Sequence, residues 1–184
     1  QARNHMVADI AQLDAIIGKF LDYARPGNVH LSPVSLNKVL NTCLFSIQHS
    51  ADLHINMELE ENLMVLTDEV ELGRVITNLL ENARRYGKSV DTGMAVVDIA
   101  ARARDKWVLL KIRDHGSGVS EAQLANLTKP FYRGEAARTA ANGAGLGLAI
   151  VEKTIERMGG IFGLSNASSG GLAANIKLQR APKA

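Results

Sequence analysis

The sequence predicts an α/β fold, a two-layer sandwich in which helices pack beside a mixed, largely antiparallel sheet. Three observations carry this. Helical apolar spacing recurs in three separated stretches, residues 35–50, 69–87 and 146–158. Two pairs of alternating stretches, 95–103 with 107–113 and 161–166 with 172–178, are joined by short polar turns, as antiparallel hairpins are. No βαβ unit repeats, which argues against a doubly wound sheet. A length of 184 residues suits one full domain plus a short appendage, and 46% hydrophobic with 22% charged residues is ordinary globular usage, enough to bury a core.

The appendage comes first. Met6, Ile10, Leu13, Ile17, Phe20 and Ala24 alternate at spacings of four and three, an a/d seam narrower than the stripe of a helix lying on a sheet. Such a seam wants a helical partner, supplied by upstream sequence, a second subunit or both; a core helix of the main domain is the alternative. "ARPGNVHLSP" breaks the pattern with Pro26, Gly27 and Pro33 and reads as a linker over residues 26–34. The main domain then runs over 35–180, with 181–184 as a tail. It opens on a helix over Ser35–Ser50 and an alternating strand, "HINMELE". Asp68 and Glu71 form a capping-box-like start to the next helix, whose apolar positions include Val70, Val75, Ile76, Leu79, Leu80 and Ala83, and Gly87 closes it. The first hairpin turns at Asp105-Lys106. A short helix near Ser120–Leu127, an irregular stretch to Asn142, a helix over Leu146–Met158 and a hairpin around "ASSGG" complete the chain.

Several function classes drop out. The net charge of +2 is small and the basic residues are scattered, so no nucleic-acid partner is expected. The single cysteine, Cys43, lies among apolar residues, which excludes a disulfide framework and points to a reducing compartment. No apolar run approaches the roughly 18 residues of a membrane span, and "QARNHM" has no signal-peptide layout. The chain reads as a soluble piece without membrane contact.

Four constellations carry chemistry. "NGAGLGLAIVEK" sets Gly143, Gly145 and Gly147 at alternate positions before a helix. A dinucleotide fingerprint would need a glycine at Leu148 and a preceding strand, and a P-loop would need a Lys-Ser/Thr pair; neither requirement is met. Alone, the run is a glycine-rich turn. Asn78 and Asn82 stand one helical turn apart on one face, either solvent-facing or as hard-oxygen donors suited to magnesium. "RDHGSGVS" places Asp114 with Gly116 and Gly118 at a strand end, a turn or a pocket whose carboxylate accepts a buried amine such as adenine N6. "KPFYRGEAAR", with Phe131, Tyr132, Arg133 and Arg138, is either an irregular loop or a lid pinned by an aromatic residue.

In that order, "NLLENARRYG", "DHGSG", "KPFYRGE" and "GAGLGLAIV" resemble the N box, first glycine box, F box and second glycine box of sensor histidine kinases. The likeness to the EnvZ-type osmosensor kinases extends to "DIAQLDAIIGKFLDYAR", which resembles the second helix of their dimerisation hairpin and would assign residues 1–25 to it. The resemblance implies the Bergerat fold of the GHKL ATPases, ATP with Mg2+, and transfer of the γ-phosphate to a histidine. It makes Asn78 and Asn82 the polar pair of the N box, with Asn82 the magnesium ligand, Arg85 near phosphate and Tyr86 near the base. Asp114 would hold the adenine amine over a floor shaped by Gly116 and Gly118. Phe131 would anchor the lid and Arg133 would meet the terminal phosphates. Gly143, Gly145, Leu146, Gly147 and Leu148 would form the hinge and the helix N-terminus that face the phosphates.

Related ATPases carry a glutamate one turn before the magnesium asparagine, where it can activate water. Here that residue is Asn78, which cannot take a proton, so hydrolysis is disfavoured. None of His5, His30, His49, His54 and His115 lies in an H-[ED]-x-[RK]-x-P setting, so the acceptor histidine is expected upstream of Gln1. Ala144 stands where a threonine or serine is common, and His115 where an aspartate or asparagine is usual. The resemblance implies the cytoplasmic portion of a bacterial inner-membrane protein that is homodimeric when whole, binds ATP or ADP, and meets a response regulator through its hairpin. A GHKL-type ATPase and a non-catalytic nucleotide-sensing module are the alternatives.

Overall fold

The structure is a computed structural model that describes residues 2–24, 28–89, 91–130, 132 and 147–182. A first helix, α1 (Ala2–Ala24), precedes the main body. There β1 (Ser32–Ser35) leads into α2 (Leu36–Ile47), β2 (Leu53–Leu59), β3 (Met64–Thr67) and α3 (Glu69–Tyr86). A hairpin of β4 (Ala95–Arg104) and β5 (Trp107–Asp114) follows, then the short α4 (Glu121–Leu124), α5 (Gly147–Arg157), and a hairpin of β6 (Ile161–Asn166) and β7 (Leu172–Gln179). The main sheet has the order β2-β4-β5-β7-β6. Only the β2–β4 pair in it is parallel, so the expected mixed, largely antiparallel two-layer sandwich is found.

One face of this sheet is sealed by helices. Val97, Ile99 and Ala101 on β4, Val108, Leu110 and Ile112 on β5, and Ala174, Ile176 and Leu178 on β7 point the same way by the two-residue period of a strand. They share one buried cluster with Leu36 and Leu40 of α2, Leu72, Ile76 and Leu80 of α3, and Ile155 of α5. Each such Leu or Ile contributes about 1.5–3 kcal/mol by leaving water. Cys43 belongs to the cluster; burial pushes its thiol pKa up, against a weaker opposing hydrogen bond from Thr77.

Caps set the ends of the helices that matter. Asp68 precedes α3, and its Oδ1 accepts the N–H groups of Val70 at 3.1 Å and Glu71 at 3.2 Å, while Oδ2 accepts that of His30 at 3.0 Å. Burial raises the carboxyl pKa, but these N–H groups outweigh it and hold the pKa below its ordinary value. Glu69 and Glu71 in the first turn and Arg84 and Arg85 in the last complement the helix dipole.

Two boundaries differ from expectation. Ser32–Ser35, the end of the stretch read as a linker, forms β1 and pairs with β3, neither of which the apolar pattern foresees. Ala181, assigned to the tail, is buried and donates its N–H to the Met64 carbonyl at 2.9 Å. Strands of four residues are too short to show a period, and Pro33 is tolerated because this small ladder is all edge. The expected turn at Asp105-Lys106 is present, with Asp105 at φ 55°.

Candidate functional site

The last turn and a half of α3 forms the spine of the site. Asn78 and Asn82 are both partly buried on it, while Arg85 and Tyr86 are exposed. Asn82 and Gly87 are five residues apart, about 7.5 Å along the axis, and each end meets a different part of the chain.

At the Gly87 end sits Asp114, the last residue of β5, only 9% exposed. A Cβ on Gly87 would stand 2.5 Å from the Asp114 Cβ and 2.6 Å from the Ala83 carbonyl oxygen. Gly87 therefore serves close approach: its φ of −97° is open to any residue. Gly116 packs onto the other side, where a Cβ would lie 3.0 Å from the Gly87 Cα. A Cβ on Gly171, at φ 88°, would collide with the Asp114 carbonyl. Three glycines from three segments thus wrap one carboxylate. Its Oδ1 accepts the Gly116 N–H at 2.9 Å and the Leu172 N–H at 3.1 Å, which fixes the side chain and leaves Oδ2 as the acceptor for a ligand. Backbone from three segments thus forms a cradle around the carboxylate.

At the other end, α5 begins. A Cβ on Gly147 would lie 3.7 Å from Asn82 Nδ2 and 3.9 Å from its Oδ1, so the helix N-terminus stands beside the Asn82 amide. That pairing favours anions. Leu148 packs partly buried against the core and anchors the first turn of α5. The structure thereby brings together Asn82, Asp114, Gly116 and Gly147 around the end of α3. Phe131, Arg133, Gly143, Gly145 and Leu146 lie outside the described residues, as do Arg138 and Ala144.

Asn78 is a turn further from this centre. It lines a groove of ≈ 500 Å³ between α3 and α5 with Glu71, Arg74, Ile150, Thr154 and Arg157, a groove that includes neither Asn82 nor Asp114. Glu81 is held by Arg84 at 2.8 Å. On the sheet face opposite the helices, His115 Nε2 lies 2.7 Å from Asp98 Oδ2. Asn56 Nδ2 donates to Asp98 Oδ1 at 3.1 Å. The Asn56 bond, then His115, hold the Asp98 carboxyl below its usual pKa despite partial burial.

Motif reading missed the residues that act at long range. Gly87 reads as a helix cap and Gly171 as a turn residue, and their contacts with Asp114 are set by register. Asp98 and Arg113 face each other across the β4–β5 ladder; alternating charges in the hairpin hint at this but do not specify the pairing.

Residues 67–182 match the family described as histidine kinase-, DNA gyrase B- and HSP90-like ATPases. The chain is 36% identical over 130 residues to the signal transduction histidine-protein kinase BaeS of Escherichia coli, covering 70% of this chain and 27% of that protein. It is 30% identical over 177 residues to the histidine-protein kinase/phosphatase MprB of Mycolicibacterium paratuberculosis, covering 93% of this chain and 32% of the relative. The chain thus spans a third or less of these curated relatives. A solved structure of a mycobacterial sensor histidine kinase MprB superposes with a TM-score of 0.71 at 25% identity, over 84% of this chain and 100% of that one. Among the described residues no helix is long and apolar enough to cross a membrane.

Proposed function

The chain belongs to the family of histidine kinase-, DNA gyrase B- and HSP90-like ATPases, and on that premise we propose that it is the ATP-binding catalytic region of a two-component sensor histidine kinase. The reaction is transfer of the ATP γ-phosphoryl group to a histidine nitrogen on a dimerisation hairpin, and α1 is one helix of that hairpin. The whole protein would be a homodimer, with this region on the cytoplasmic side of a bacterial inner membrane and a response regulator docking at the hairpin.

The observation that carries the reading is the cradle around Asp114. Its Oδ1 is fixed by two N–H groups, Gly87, Gly116 and Gly171 let three backbone segments close around the carboxylate, and Oδ2 is the oxygen this reading gives to an exocyclic amine. A purine with an amino group fits that donor–acceptor pattern; a 6-oxo purine would place oxygen against oxygen. Tyr86 then lies at the base and Arg85 toward the phosphates, with Gly118 completing the floor. The Asn82 amide oxygen and the N–H groups of α5 suit a magnesium-bound polyphosphate, because magnesium takes few protein ligands and keeps water and phosphate oxygens. When bound, the ion neutralises phosphate charge. The protein's own work is positioning, which supplies most of the catalysis in phosphoryl transfer. Phe131 and Arg133, with Gly143, Gly145 and Leu146, would close the pocket from the lid side.

A hydrolytic reading would need a proton acceptor at position 78, where the Asn78 amide can accept no proton. The test separates these readings. Calorimetric titration with Mg-ADP gives a saturable isotherm, and Asp114→Ala weakens it by more than about tenfold, the cost of one buried charge-assisted hydrogen bond. With the acceptor hairpin added, labelled ATP yields acid-labile phosphohistidine; the chain alone takes no label. Steady phosphate release without the hairpin would support an ATPase instead, and binding without transfer would support a sensing module.

A further inference from the structure

The loop that floors the base pocket is fastened to the opposite edge of the sheet by one side chain. Asn166 ends β6, three strands along from β4 in the order β4-β5-β7-β6. Its Oδ1 accepts the Val119 N–H at 3.1 Å, and its Nδ2 donates to the Val119 carbonyl at 2.7 Å. The amide thus closes on both main-chain groups of one residue, as a neighbouring strand would. The residue before it, Gly118, holds φ 70°, and a Cβ there would stand 2.8 Å from Asn166 Oδ1. The glycine is needed twice, for its backbone angle and for the approach of the amide.

The same hairpin grips the loop's other end. Arg113 donates from Nε at 3.1 Å and Nη2 at 2.8 Å to the Gly170 carbonyl, and Leu172 N–H reaches Asp114 Oδ1 at 3.1 Å. The segment from Asp114 to Val119 therefore hangs between two anchorages on the β6–β7 hairpin. At one of them Asn166 meets the loop through side-chain atoms.

From this, and resting on the nucleotide reading of the site, we infer that Asn166 is a positioning residue for the base. It acts through Val119 and Gly118, setting the height and tilt of the Gly116–Gly118 floor against Asp114, and so the alignment of the exocyclic amine with the carboxylate. Loosening it costs affinity for adenine nucleotides and, more specifically, the discrimination between adenine and 6-oxo purines.

The experiment measures Mg-ADP and Mg-IDP affinities for the whole chain, for Asn166→Ala and for Asn166→Asp, with Asp114→Ala as reference. Asn166→Ala is expected to weaken Mg-ADP about fivefold, the net worth of roughly one hydrogen bond, and to shrink the ADP-to-IDP preference. Asn166→Asp is nearly isosteric, which protects the fold. Ionised, its carboxylate cannot donate to the Val119 carbonyl. Protonated, it can, so its ADP affinity relative to the unaltered chain rises as pH falls from 6 to about 4, the ordinary aspartate pKa. A side chain that merely stabilised the hairpin would lower the melting temperature and move neither the preference nor this pH profile. If the unaltered chain binds ADP and Asp114→Ala weakens binding by more than about tenfold, yet both Asn166 variants keep the preference and a flat relative pH profile, the clamp is overturned and the nucleotide site stands. If the unaltered chain does not bind ADP, both fall together.

Discussion

Two helices of this chain carry regular apolar spacing and meet opposite fates. In α3, Leu72, Val75, Ile76, Leu79, Leu80 and Ala83 are at most 6% exposed. In α1, Met6, Ile10, Leu13, Ile17 and Phe20 are 47–63% exposed, although the helix touches α5. The ends differ as well: α3 has an aspartate cap and matching charges in its first and last turns, whereas α1 has no acidic residue in its first turn and no basic one in its last. Periodicity foretells a helix and its apolar face in both cases, but it does not say what covers that face. A helix stripe that a sheet can cover within the chain is a domain core. A narrow seam left open fits a helix supplied from outside, in keeping with the proposed hairpin.

The largest expected effect tests that difference directly. Leu80→Ala in α3 should destabilise the chain by about 2–5 kcal/mol, the transfer and cavity cost of an emptied core site. Leu13→Ala in α1 should change stability by less than about 0.5 kcal/mol. Urea unfolding of both variants at low protein concentration checks this, and a comparable loss from Leu13→Ala would mean that α1 is part of the core.

Next is the helix end that meets the site. Gly87→Ala places a methyl group 2.5 Å from the Asp114 Cβ, so the α3 terminus must move off the carboxylate. The expected cost is about 1–3 kcal/mol of overpacking, accompanied by weaker Mg-ADP binding. Gly18, in the middle of α1, has nothing within 4 Å of a built Cβ, and Gly18→Ala should instead stabilise its helix by up to about 1 kcal/mol. Thermal melts with and without nucleotide separate the two effects.

Much of this was legible in the residues. The spacing of Val75, Ile76, Leu79 and Leu80 and the alternation in "HINMELE" and the two hairpins place the helices and five of the strands within a few residues. Short β1 and β3 show no period, and the parallel β2–β4 pairing is a long-range choice. At the site, Asn82, Asp114 and Gly116 stand in local motifs and can be singled out. Gly87, Gly171 and Asn166 cannot, because each matters through a residue far along the chain that register brings beside it. Pocket walls built from non-local backbone contacts leave no local pattern.

The α3 cap is a smaller lever and a pH-dependent one. Asp68→Ala removes the acceptor for Val70 and Glu71 and should cost about 1 kcal/mol. Asp68→Asn keeps a capping oxygen and loses only the charge. The folded-state pKa of Asp68 lies below its ordinary value, so the charge-borne stability is present above about pH 4, the unfolded carboxylate pKa. It is lost as pH falls through the folded value. The gap between the unaltered chain and Asp68→Asn should therefore be open at pH 7 and closed near pH 2. A gap that widened on acidification would show that the carboxylate is held by burial and not by the N–H groups.

The smallest effect belongs to the polar face of α3, and it bears on chemistry as much as on stability. Glu81 neighbours Asn82 in sequence and is the carboxylate nearest along the chain to the proposed metal ligand. A proton-accepting role there would make Glu81→Gln slow transfer by about a hundredfold or more. Arg84 holds its carboxylate at 2.8 Å on a half-exposed surface, a pair worth a few tenths of a kcal/mol at most. Glu81→Gln should then change both unfolding free energy and the rate of phosphohistidine formation by no more than that amount, under about twofold in rate. The amide substitution leaves Arg84 a neutral acceptor and adds no bulk, so a hundredfold loss could not be ascribed to packing and would move Glu81 from helix surface to reaction centre.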